Sequence, residues 1–165
     1  MRMGSLKNVL FGSALLLATS APVFAQGTVG AGLSFLHGDG ATATGFTIDY
    51  ASVKPATDKA TFGVVGDFGL NKFEDSTITS YLGGVRVAIP GTAKVKPFAQ
   101  FLIGAEHCCE STDLALQPGV GVDFAVSPTI DVRVQVDFRN VRYDGGSTNT
   151  QRYTFGVAIP VGAKQ

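Results

Sequence analysis

Between residues 27 and 162 the chain alternates apolar and polar side chains in stretches of about ten residues, the period-two mark of β-strands. The alternation predicts eight strands, over 27–37, 43–53, 60–71, 78–90, 94–106, 113–126, 129–141 and 150–162. Clusters of Gly, Pro, Asp, Asn, Ser and Thr separate them, and neither a helical period nor a break in composition interrupts the series. The seventh stretch is the clearest. Ile130, Val132, Val134, Val136 and Phe138 point one way, and Asp131, Arg133, Gln135, Asp137 and Arg139 the other. The second sets Phe46, Ile48 and Tyr50 against Thr47 and Asp49; the third sets Phe62, Val64 and Phe68 against Val65 and Asp67. In the sixth, Leu114, Leu116, Val120, Val122 and Phe124 oppose Asp113, Gln117 and Asp123. The eighth opposes Tyr153, Phe155, Val157, Ile159 and Val161 to Arg152 and Thr154; the fourth opposes Tyr81, Val85, Val87 and Ile89 to Arg86. The fifth has the weakest phase, because Phe98 and Leu102 share the parity of Lys96, Gln100 and Glu106.

A soluble sandwich alternates too, so the solvent on each face follows from other features. Charges keep to one parity of each strand, most plainly the four of the seventh. That polar parity is also rich in small residues: Gly30, Gly32, Gly63, Gly69, Gly119, Gly121, Gly156 and Ala158. Small residues suit the crowded inside of a narrow barrel. Ten residues match the length of a tilted strand crossing a hydrocarbon layer. Hydrocarbon offers backbone groups no hydrogen bonds, so such a sheet must close on itself. The expected fold is an all-β, eight-stranded antiparallel up-and-down transmembrane barrel, with its apolar parity toward lipid.

Its lumen is then filled by Asp49, Asp67, Arg86, Lys96, Glu106, Asp123, Asp131, Arg133, Asp137, Arg139 and Arg152. Near balance of sign points to a plug of ion pairs rather than an open channel, since an unpaired buried charge is strongly unfavourable. Short connections are expected at Lys54–Lys59, Gly91–Thr92 and Ser127–Pro128. Longer polar loops are expected at Gly38–Thr42, Lys72–Ile78, His107–Thr112 and Arg142–Asn149, facing outward. Aromatics fall near both strand ends: Phe35, Phe46, Phe68, Tyr81, Phe138 and Tyr153 toward the longer loops, Phe62 and Phe124 toward the short turns.

Residues 1–25 read as a secretory signal peptide. Arg2 and Lys7 open it, Val9 to Ala18 is a short apolar run, and Val23-Phe24-Ala25 offers a cleavage site. The run is well short of the roughly 20 residues of a spanning helix. Cleavage removes two basic residues and no acidic one, leaving residues 26–165 as one barrel domain of 140 residues with charge about −2. The uncleaved chain, 165 residues with 13 basic and 13 acidic side chains, lacks the charge of a nucleic-acid binder or a disordered tail. Two cysteines are too few for a disulfide-stapled miniprotein.

Three segments carry a resemblance: Gly119-Val120-Gly121-Val122-Asp123-Phe124 with the turn Ser127-Pro128-Thr129, the run Asp131 to Arg139, and the closing strand Arg152-Tyr153-Thr154-Phe155-Gly156-Val157. In pattern and spacing nearly all of 26–165 resembles the small outer-membrane β-barrels of the OmpA transmembrane domain and OmpX type. The resemblance implies a monomer in the outer membrane of a Gram-negative bacterium, in contact with its lipid and inserted by the outer-membrane assembly machinery. It also implies a role in envelope integrity or surface contact, with an extracellular ligand met through the long loops. Members of that family usually end on an aromatic residue, whereas this sequence ends Pro160-Val161-Gly162-Ala163-Lys164-Gln165.

Candidate chemistry is sparse, and no catalytic residue, cofactor, metal or nucleic-acid partner is expected. Cys108 and Cys109 are candidates for a vicinal disulfide in an oxidising compartment, against the plainer reading of idle thiols. His107, Glu106 and Glu110 beside them fit no standard zinc spacing. Ser34, His37 and Asp39 contain the residue types of a hydrolase triad, but Ser34 and His37 fall on opposite faces of an extended strand. Asp123 and Asp137 read as partners of Arg133 and Arg139 rather than a catalytic pair. Gly119-Val120-Gly121 precedes no helix and is not a phosphate loop. Two other functions compete: a soluble secreted barrel carrying an apolar ligand, as lipocalins do, and a membrane-embedded enzyme acting on lipid. The first needs an apolar interior, the second polar groups on the lipid-facing parity.

Overall fold

The computed structural model describes residues 26–52, 54–57, 60–89, 92 and 94–162. The signal peptide expected over 1–25 lies outside the described residues. Among the described residues nine strands form: β1 (Gln26–Gly38), β2 (Ala41–Ser52), β3 (Lys54–Thr57), β4 (Ala60–Phe73), β5 (Ser76–Ala88), β6 (Val95–Cys108), β7 (Ser111–Ala125), β8 (Asp131–Tyr143) and β9 (Gly146–Gly162). All pair antiparallel in the order β2-β1-β9-β8-β7-β6-β5-β4-β3, and β2 also pairs with β4, which closes the sheet. Strands β2 and β3 lie end to end along β4, through Ala51↔Val65 and Lys54↔Phe62, so the barrel has eight staves. The segment from Lys54, expected as a connection, is thus partly strand; its backbone finds ladder partners on β4 that no local signal foretells.

The interior and exterior are inverted relative to a water-soluble protein. Arg139 and Arg152 are 1% and 0% exposed, while Leu33 is 63% exposed. Along β8, Asp131, Arg133, Gln135, Asp137 and Arg139 are buried inside and Val132 and Phe138 stand on the outer wall. On β6, Phe98 and Leu102 point inward beside Gln100, which resolves the weak phase of that strand. A wall of apolar side chains around a charged interior matches hydrocarbon outside. It is the reverse of what a lipocalin-like carrier requires.

The expected long loops are absent. β1–β2, β4–β5, β6–β7 and β8–β9 are joined by two residues each: Asp39-Gly40, Glu74-Asp75, Cys109-Glu110 and Asp144-Gly145. Such tight hairpins need left-handed backbone. Asp39, Gly40, Glu74, Cys109, Glu110 and Gly145 supply it, with φ of +49°, +79°, +48°, +54°, +70° and +107°. Strand pairing runs through segments expected as loops, for example His37↔Thr42, His107↔Thr112 and Arg142↔Ser147. The alternation fades there because the outer face itself turns polar. His37, Thr42, Thr44, Lys72, Thr77, Thr79, His107, Thr112, Asn140, Arg142, Asn149 and Gln151 replace apolar residues on the outward parity. Strands of 12 to 17 residues exceed the 9–11 or so needed to cross a bilayer, and the surplus forms this polar crown. The opposite rim carries the longer connections, Ile89–Lys94 and Val126–Ile130, and both barrel ends, since Gln26 pairs with Gly162.

Candidate functional site: an ion-paired lumen beneath a polar crown

The inward residues of the strands meet across the barrel. Arg133 on β8 reaches Asp123 on neighbouring β7 with Nε and Nη2, at 2.7 and 2.8 Å, and gives Nη1 to both oxygens of Asp49 on β2, at 2.8 Å. Asp49 also accepts from Nη2 of Arg86 on β5 at 3.0 Å. Deeper toward the tips, Arg152 on β9 grips Asp67 on β4 with Nη1 and Nη2, at 2.9 and 2.8 Å, and gives Nε to Asp137 on β8 at 2.9 Å. Bidentate guanidinium–carboxylate pairs of this kind combine strength with fixed geometry. Because β2 and β8, and likewise β4 and β9, are three staves apart, these contacts tie opposite walls together.

Two peripheral pairs complete the set. Arg139 gives Nη1 to Glu106 Oε2 at 2.5 Å and Nε to Gln117 at 2.7 Å. Lys96, whose side chain is 44% exposed at the rim opposite the tips, meets Asp131 at 2.7 Å. All eleven charged residues assigned to the lumen thereby fall into seven ion pairs. Asp137 is held by Arg152 and two glutamines rather than by Arg139.

Members of the network that charge patterning missed include Gln100, Gln117, Gln135 and Phe98. Gln100 accepts from Arg86 at 2.7 Å and donates to Asp137 at 3.2 Å, joining the two arginine clusters; Gln135 donates to Asp137 at 2.8 Å. The Phe98 ring lies under both Arg86 and Arg133, with their guanidinium carbons 4.3 and 5.0 Å from its centroid. Glutamine on the inward parity was the available signal. The inner glycines make room: a Cβ at Gly30 would collide with Asp49 and Arg133, and one at Gly119 with Asp137. Toward the tips the inward positions include the buried apolar side chains of Leu36, Ala43 and Val141.

Ser34 is fully buried in the lumen, bonded to Asn71, whose Nδ2 donates to its hydroxyl at 3.0 Å. His37 stands on the crown with Nδ1 2.9 Å from Thr42 Oγ1. The Ser–His–acid set is therefore not assembled. His107 makes the same contact with Thr112 at 2.9 Å. Cys108 ends β6 and Cys109 begins the turn, both with free thiols, so neither sits in a long loop. Above the apolar band, dehydration, the hydrogen bond to Cys109 and the carboxylates of Glu106 and Asp113 push the Cys108 thiol up to about 11. No group of three or more metal-ligating side chains occurs among the described residues.

No family model and no curated protein sequence matches the chain. Solved structures do. Neisserial surface protein A (NspA) superposes with a TM-score of 0.59 at 15% identity, covering 84% of this chain and 96% of that one. Ail, the attachment invasion locus protein of Yersinia pestis, gives 0.53 at 16% identity, over 82% and 97%. The outer membrane enzyme PagL gives 0.52 at 15% identity, over 83% and 100%. With the closed stave order and the inverted polarity, these likenesses establish that the chain has the fold of the small eight-stranded outer-membrane β-barrels.

Proposed function

We propose that the chain is a structural and surface-contact barrel of a Gram-negative outer membrane, with its four tips outward and its lumen shut. The observation that carries this reading is the seven-pair plug beneath Leu36, Ala43 and Val141: it leaves the crown as the surface available to a partner. In this reading the crown points outward because its strands stand clear of the apolar band, although its two-residue turns are shorter than the connections at the opposite rim, the reverse of the loop lengths usual in such barrels. Insertion by the outer-membrane assembly machinery belongs to the same reading.

The partner meets strand ends and tight turns rather than long loops. Each turn carries at least one acid (Asp39, Glu74 and Asp75, Glu110, Asp144), and none carries a lysine or arginine. Ail has been crystallised with a heparin analogue, sucrose octasulfate. Against Lys72 and Arg142 on the same crown, these five acids leave the rim net acidic, which disfavours such a polyanion and favours a neutral or cationic contact. The buried Ser34 and the Thr42-bound His37 favour a non-enzymatic role over lipid hydrolysis.

Reconstitution into planar bilayers tests the reading. A shut lumen gives no stepwise conductance above the protein-free bilayer; a steady population of open channels refutes it. Retention of the vesicle-inserted barrel on sulfated beads in preference to polylysine beads would refute the charge assignment of the crown.

A further inference from the structure

The tip between β6 and β7 differs from the other three. Cys109 and Glu110 both adopt left-handed backbone, with φ of +54° and +70°, whereas two of the other turns place a glycine at their second position. The two-residue hairpin requires this backbone, and here side-chain-bearing residues supply it at both positions. In an extended strand, neighbouring side chains diverge to opposite faces. The left-handed step at Cys109 cancels that divergence and brings the Cys109 side chain round to the side of Cys108. The Cys109 thiol also donates to Ser76 Oγ at 4.0 Å, on the adjoining hairpin. Both sulfurs are free, and Cys109 is exposed.

We propose that Cys108 and Cys109 form a preorganised dithiol that captures a trivalent arsenical. The ligand class follows from the donor set. Thiols select soft, thiophilic centres. Zinc takes four ligands, and the nearest imidazole, His107, is on the outward face beside Thr112. A monosubstituted arsenical, R–As(OH)2, needs only two, because carbon holds its third valence. Each S–H condenses with one As–OH: an As–O bond breaks, an As–S bond forms, and the thiol proton leaves with the hydroxyl as water. Two waters are released, arsenic stays trivalent, and no oxidant is consumed. The condensation proceeds from neutral thiols, so neighbouring Glu106 and Asp113 do not oppose it as they oppose thiolate formation. Direct oxidation of adjacent cysteines must close a small ring around a disulfide with restrictive geometry. An arsenic atom between the sulfurs enlarges that ring and relaxes the demand.

The test uses phenylarsine oxide as the probe on the barrel purified from membranes in detergent. The expected result is one arsenical per chain by intact mass, with both thiols lost to maleimide and both recovered on adding a small dithiol. Cys108→Ser and Cys109→Ser each weaken retention by roughly 10²-fold or more, the advantage of two linked bonds over one. Heat-modifiable gel migration checks that each variant remains folded. Single-cysteine variants that retain the probe as tightly as the parent overturn the proposal. So does maleimide labelling of both parent thiols undiminished by one equivalent of probe, or a purified chain with no free thiol before reduction. None of these readouts depends on which rim faces outward or on whether the lumen conducts.

Discussion

Arg152→Met asks how much of the barrel's stability its central ion pairs hold. The guanidinium is fully buried and neutralises Asp67 and Asp137, whose side chains are 3% and 0% exposed. Methionine fills most of the volume and removes the charge, leaving two carboxylates in the lumen with no cation in contact. Breaking a buried pair by deleting one partner costs about 3–5 kcal/mol. The two pairs share one arginine, so their costs do not simply add. With a urea dependence of about 2 kcal/mol per M, the unfolding midpoint falls by roughly 2 M. The chain has no tryptophan, so far-ultraviolet circular dichroism and heat-modifiable gel migration in phospholipid vesicles serve as the readouts. The informative comparison is Asp67→Asn with Asp137→Asn and Arg152→Met. Neutralising the whole set removes the stranded charges, and this triple variant regains at least half of the loss. A single variant within about 1 kcal/mol of the parent, below the range expected for a broken buried pair, or a triple variant no better than the single one, refutes the ionic account of the lumen.

Other perturbations probe other layers. Val134→Arg, on the outward parity within the apolar stretch 132–138 of β8, destabilises the inserted barrel by about 2–4 kcal/mol by urea titration in vesicles. Gly119→Ala drives a Cβ into Asp137 and costs about 1–3 kcal/mol in the same titration, through overpacking of the network. Cys108, with its thiol raised to about 11, shows an alkylation rate that still climbs with pH between 9 and 10, where an ordinary thiol of pKa near 8.5 has levelled off. Iodoacetamide kinetics on the parent chain, read at Cys108 from fragment masses, measures it, and a plateau below pH 9 contradicts the assigned environment.

Much of this architecture is legible in the sequence because one physical constraint writes it at every second residue. The β8 run from Asp131 to Arg139 shows it best: lipid on one side and a crowded ionic lumen on the other leave little freedom at either parity. β6 reads poorly because its inner face carries Phe98 and Leu102, and an apolar residue inside this barrel looks like one outside it. The tips read as loops for a related reason. Alternation reports the contrast between two environments, and it fades where strands emerge into water, although the ladder continues to Gly38, Phe73, Cys108 and Tyr143. Asp39-Gly40 and Asp144-Gly145 carried a hairpin signal that could have corrected two of the four; Glu74-Asp75 and Cys109-Glu110 carried none. The identity of lumen residues follows from parity, but their partners do not. Arg133 meets Asp49 and Arg152 meets Asp67 because of the relative stagger of distant staves, a property of closure that no single strand encodes.

Spin labels placed singly from position 132 to 142 along β8, in the vesicle-inserted barrel, address the inverted sheet most directly. At 132, 134, 136 and 138 the labels should be accessible to oxygen and shielded from a water-soluble nickel complex. At 133, 135, 137 and 139 they should be protected from both, and at 140 and 142 the nickel complex should dominate. Nickel access at 133 and 135, with 132 and 134 shielded from oxygen, would mean that the charged face meets water and the apolar face is the core.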